Sequence, residues 1–166
     1  MAERHPFVLL DDAREHGAAD ALLFENPRQV FVAHRPDQVA DLLSAADQAR
    51  KSGGELAGFI AYEAGLALED RLRPLAHARS GAAGPLVWLG LFDAPTRIAA
   101  ADMPEWLAAH AQGPGSVGPL DPQLSPGGYE KAFATLQEAI RAGDIYQANL
   151  TFPLAGNFTG DPVGLY

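Results

Sequence analysis

The sequence predicts a globular fold that mixes short β-strands with amphipathic helices, and three observations carry that prediction. Runs of aromatic and branched residues, each of strand length and bounded by Asp, Gly, Asn or Pro, recur between residues 7 and 92. Two longer stretches, opening at Pro36 and at Pro126, place apolar residues at helical spacing instead. The 166 residues are 48% hydrophobic, enough to bury a core of ordinary single-domain size.

Phe7 to Leu10, Ala21 to Phe24 and Gln29 to Val32 predict three strands. From Pro36, residues Val39, Leu42, Leu43, Ala46 and Ala49 line one face of a helix, and Gly53-Gly54 supplies its stop. Leu56 to Tyr62 and Leu86 to Phe92 are compact apolar runs that predict core strands, each with a single Gly where a bulge or a close approach fits. Between them Leu66, Leu68, Leu72 and Leu75 sit among Glu69, Asp70, Arg71 and Arg73, the pattern of a short helix ended by Pro74. Arg97 to Ala99 predicts a further strand, and Pro104 to Ala111 a small helix carrying Trp106 and Leu107 inward.

Gly113 to Pro126 contains Gly113, Pro114, Gly115, Gly118, Pro119 and Pro122, a density of breakers that predicts a linker without regular structure. The clearest helix follows. Ser125 can cap it, Pro126 suits its first turn, Tyr129, Phe133, Leu136 and Ile140 form one stripe, and Gly143 ends it. Ile145 to Leu154 then alternates apolar and polar residues as a strand does, limited or bulged by Pro153. Asp161 and Pro162 make a second helix start, Asp as cap and Pro in the first position, with only Val163 to Tyr166 after them. So short a run cannot sustain an isolated helix, because nucleation is costly, and an interrupted element is the expectation.

Twenty-one acidic residues against 12 basic ones give a formal charge of −9, a field that repels phosphate backbones and anionic lipid. Nucleic acid and membrane are therefore not expected as partners. No apolar run approaches the roughly 20 residues of a membrane span, and Met1 to Pro6 lacks a secretory layout, so a cytoplasmic location is expected. The chain has no cysteine, which fits a reducing compartment and excludes disulfides and thiolate zinc sites. The sequon Asn157-Phe158-Thr159 carries no weight in that setting.

Most candidate chemistry dissolves on inspection. Gly113 to Gly118 has the glycine spacing of a dinucleotide loop, but the required strand before it and helix after it are missing from the pattern. His5, His16, His34, His77 and His110 lack the close spacing of paired metal ligands, and no metal site is expected. No Gly-x-Ser-x-Gly elbow is present to build a triad. Leu10-Asp11-Asp12 places two carboxylates at a strand end, where a turn is the common explanation and a polar pocket lining the functional one. Gly143 to Thr151 is the most distinctive stretch, a helix stop followed by Tyr146, Gln147, Asn149 and Thr151 as hydrogen-bonding groups.

That stretch, Gly-Asp-Ile-Tyr-Gln-Ala-Asn-Leu-Thr, resembles the Gly-Asp-x-Tyr/Phe-Gln-Val-Asn-Leu segment of the chorismate-utilising enzymes, the large subunits of anthranilate synthase and aminodeoxychorismate synthase. Phe7 to Ala13 is similar to that family's first strand, and Gly58 to Gly65 and Leu86 to Phe92 to strands of its N-terminal domain. The wording of the Phe7 and Leu86 segments, with Tyr146 and Asn149 together, looks most like the aminodeoxychorismate synthase branch, some members of which continue into a fused lyase.

The resemblance implies an α+β fold, part of a two-sheet β-sandwich flanked by helices. It implies an N-terminal domain over residues 1–112, a linker over 113–123 and the incomplete start of a chorismate-binding domain over 124–166. The implied reaction is magnesium-dependent replacement of the chorismate 4-hydroxyl by ammonia, delivered by a glutamine amidotransferase partner, toward p-aminobenzoate and folate. Family residues that bind magnesium, hold the chorismate carboxylates and perform the chemistry lie beyond the Asp144, Tyr146, Gln147, Asn149 segment. No catalytic residue, metal or cofactor is accordingly expected in this chain alone. The first-strand position, Leu10, Asp11 and Asp12 here, contributes in the family to an aromatic amino acid pocket, and Asp12 stands where serine is usual. A carboxylate in place of a hydroxyl changes both charge and donor capacity. A stand-alone aromatic amino acid module and a fragment of anthranilate synthase are the alternative expectations.

Overall fold

The computed structural model describes residues 5–79 and 84–166. The fold is α+β, and the chain forms two compact units that divide between Met103 and Pro104. In chain order the first unit holds β1 (Val8–Leu10), β2 (Ala21–Phe24), β3 (Gln29–Ala33), α1 (Pro36–Lys51), β4 (Glu55–Ile60), α2 (Gly65–Leu68), α3 (Arg73–Arg79), β5 (Val87–Phe92) and β6 (Thr96–Ile98). The strands make two antiparallel three-stranded sheets, ordered β1-β2-β6 and β3-β5-β4.

β5 is the centre of the second sheet, and its alternation sorts the core into two layers. Val87, Leu89 and Leu91 face α1, packing with Ala33, Phe31, Val39, Leu42 and Ala46. Trp88 and Phe92 face the other way, where Phe92 meets Phe24, Leu22 and Val8 of the β1-β2-β6 sheet. The Phe24 and Phe92 rings lie 5.5 Å apart and tilted by 58°, an arrangement that aromatic quadrupoles favour. Each side chain fully buried in these layers, such as Val39, Val87 and Phe92, stabilises by about 1.5–3 kcal/mol, and the partly buried ones by less.

Close approach governs the single glycine of β4, as its sequence position predicts. Gly58 has φ +150°, and a Cβ there would collide with the carbonyl oxygen of Trp88 on the paired strand. α1 begins at Pro36 and is followed by Gly53 and Gly54 in left-handed conformations, the expected stop. Arg35 offers no acceptor at the cap, so the capping contribution comes from Gln38, whose side chain accepts from the Arg35 N–H at 3.0 Å.

One element of this unit corrects the sequence reading. Leu66 to Leu75 is not a single helix ended by Pro74; α2 stops at Leu68, and Pro74 sits in the first turn of α3. A proline at that position lacks only an N–H that a first turn leaves unpaired anyway, so it starts a helix as readily as it ends one.

The second unit begins within α4 (Met103–His110) and also holds β7 (Gly115–Val117), β8 (Asp121–Pro122), α5 (Pro126–Ala142), β9 (Leu154–Ala155), β10 (Phe158–Gly160) and α6 (Pro162–Leu165). α5 has the predicted ends. The Ser125 hydroxyl accepts from the Gly128 N–H at 3.1 Å, and Gly143 at φ +81° closes the helix while the Asp144 N–H reaches back to the Ala139 carbonyl at 2.9 Å.

Two expectations fail in this unit. Residues 145–153 form no strand, and only Leu154–Ala155 pairs, with Asp121–Pro122. The breaker-rich stretch expected to lack regular structure carries β7 and β8, and β7 pairs antiparallel with β10. A strand exists only where a ladder partner exists, and alternation in residues 145–153 supplies none. Prolines 114, 119 and 122 lie beside or at the end of very short ladders, where a missing N–H costs little.

Burial separates the two units. Every buried residue described lies at or before Met103, and none of residues 104–166 is buried. Tyr129, Phe133 and Ile140 remain more than 40% exposed on α5.

Phe92→Ala is expected to cost about 3–5 kcal/mol by urea denaturation, as for a fully buried aromatic, whereas Phe133→Ala should change stability by less than about 1 kcal/mol. Equal losses would contradict the burial difference. Limited proteolysis is expected to cut first within residues 113–118 and to consume the C-terminal piece before the first unit; equal protection of both would count against this description.

Candidate functional site

The end of β1 is built by hydrogen bonds more than by packing. Leu10 pairs with Leu22 across the ladder but is 53% exposed, and the chain leaves the strand at Asp11. Asp12 then gathers four donor groups. Its Oδ1 accepts from Arg14 Nε at 2.8 Å, its Oδ2 from Arg14 Nη2 at 2.5 Å and from the Ala19 N–H at 2.9 Å, and the Arg14 N–H approaches Oδ1 at 3.4 Å. The carboxylate thus pins both ends of the loop that leads from β1 to β2. The side-chain hydrogen bond from Arg14 is the largest influence on its acidity, followed by the Ala19 N–H, and together they hold the Asp12 carboxyl well below the usual range. All of these bonds stay within the loop that leaves β1.

The motif segment of the second unit is open to solvent. Asp144 is exposed, and its backbone N–H completes the α5 cap. Tyr146 is 93% exposed, and Gln147 and Asn149 are exposed beside it. The side chains of Tyr146, Gln147 and Asn149 make no hydrogen bond among the described residues. An open groove of about 530 Å³ borders Asp144 and is lined by Ala134, Thr135, Glu138, Ala139 and Ala142 of α5. Leu10 to Asp12 belong to the first unit and Asp144 to Asn149 to the second, so neither unit alone unites the two sets.

The first unit also contains an apolar groove of about 500 Å³ that the sequence reading did not single out. Phe7, Phe59 and Trp88 line it with Pro6, Gly58 and Pro85. Phe59 and Trp88 are directly opposite in the β4–β5 ladder, so their rings share one face of the sheet. Both belong to runs that predict core strands, yet Phe59 is 49% exposed. The signal was present in the strand alternation; what it lacked was the extent of the sheet that covers that face.

No group of three or more His, Cys, Asp or Glu side chains able to hold a metal ion occurs among the described residues. His110 instead stacks on Trp106 with centroids 4.0 Å apart, its Nδ1 lying 2.7 Å from the Trp106 carbonyl oxygen. The His34 N–H donates to Gln38, and His5 and His16 are exposed. The side chain of His77 lies outside the described residues. No helix among the described residues is long and apolar enough to cross a membrane.

A family model described as chorismate binding enzyme matches residues 5–166, both units included. No curated protein matches the chain, and no solved structure does.

The Asp12 clasp carries a pH signature whose sign follows from its lowered acidity. A carboxyl more acidic in the folded state contributes stability above its unfolded pKa of about 3.9, and the contribution fades as pH falls below that value toward the folded one. Asp12→Asn is expected to be less stable than the parent chain at neutral pH, with the gap narrowing below about pH 4. Urea midpoints measured across that range test it, and a gap that widens in acid would refute the assignment.

Proposed function

Because the chain belongs to the chorismate-binding enzyme family, we propose that it is the N-terminal portion of an aminodeoxychorismate synthase large subunit, which replaces the 4-hydroxyl of chorismate by ammonia on the way to p-aminobenzoate and folate. The state of the second unit supports the reading as a portion of a larger enzyme. α5 has well-formed caps and an apolar stripe, yet no residue from Pro104 to Tyr166 is buried. Caps contribute about 1 kcal/mol each, while ordering a residue costs about 1–2 kcal/mol, so a helix of this kind draws its stability from a face that something covers.

The aminodeoxychorismate branch is favoured over anthranilate synthase by the wording of Phe7 to Ala13 and Leu86 to Phe92 and by Tyr146 together with Asn149. The ammonia donor in this reading is a glutamine amidotransferase subunit, and the setting is the cytoplasm. Magnesium belongs to the same reading, but the carboxylates present do not fit it. Asp12 is engaged by Arg14 and Asp47 by Arg50 and Lys51, and no group of three or more His, Asp or Glu side chains able to hold a metal ion stands among the described residues. No catalytic step is therefore assigned to a side chain of this chain.

Purified chain supplied with chorismate, magnesium and an ammonium salt is expected to release no 4-amino-4-deoxychorismate above the protein-free control, followed by chromatography of the products. Sustained turnover would sink the proposal that the reacting groups lie elsewhere. A longer product of the same gene, supplied with chorismate, magnesium and ammonia, is expected to make 4-amino-4-deoxychorismate, and anthranilate as its product would overturn the choice of branch.

A further inference from the structure

We draw no further inference here: the strongest candidate, the apolar stripe of Tyr129, Phe133 and Ile140 along α5 with Phe152 beside it, is an unpartnered face, and nothing in the structure shows what covers it.

Discussion

β5 is hydrogen-bonded along both edges and packed on both faces, and the rest of the first unit takes its position from that double constraint. Its odd-numbered residues, Val87, Leu89 and Leu91, require an apolar cover, which α1 supplies through Val39, Leu42 and Ala46. Its even-numbered residues, Trp88 and Phe92, require a second cover, which β1 and β2 supply through Val8, Leu22 and Phe24. Because the side-chain period of a strand is two, a slip of one residue in either ladder would exchange these faces and strand both covers. Gly58 reinforces the register, since only a residue without Cβ fits opposite the Trp88 carbonyl.

No element of the second unit plays such a part. Its ladders are two or three residues long, and its one long helix is held by a Ser125 hydroxyl, a left-handed Gly143 and two stacked rings, Tyr129 and Phe133, at 6.1 Å. These are local devices. They specify where a helix begins and ends, but they bury little apolar surface, and burial is the dominant favourable term in folding.

The same distinction decides what could be read from the sequence. Elements governed by local signals were legible: β2 has the predicted bounds, α1 starts at Pro36, and α5 has the predicted cap, first turn and terminator. Pro74 misled because one residue type serves at both ends of a helix, and only the neighbouring chain decides which. Residues 145–153 misled because alternation is necessary for a half-buried strand and insufficient without a partner edge. β7 and β8 were hidden because their pairing partners lie about forty residues downstream and thirty, respectively, a separation that no local window contains. At the candidate site, the resemblance pointed to Leu10 to Asp12 and Asp144 to Asn149, whereas the clasp from Asp12 to Ala19 spans a loop that no local pattern in the sequence specifies.

Charge bears on what the chain presents to an anionic molecule. A substrate bearing carboxylates, approaching a protein of formal charge −9, needs cations gathered at one place and turned toward it. Here Arg14, Arg28, Arg35, Arg73 and Arg141 each stand beside a carboxylate, and Arg50 and Lys51 share Asp47. Such exposed pairs are worth little to stability, about 0–1 kcal/mol, and they tie up much of the chain's positive charge. Lys131 and Arg141 are the only basic residues from Pro104 to Tyr166, and Arg141 already faces Glu138 at 3.8 Å. The family segment after Gly143 therefore brings uncharged hydrogen-bonding groups, Tyr146, Gln147 and Asn149, without a cationic clamp beside them.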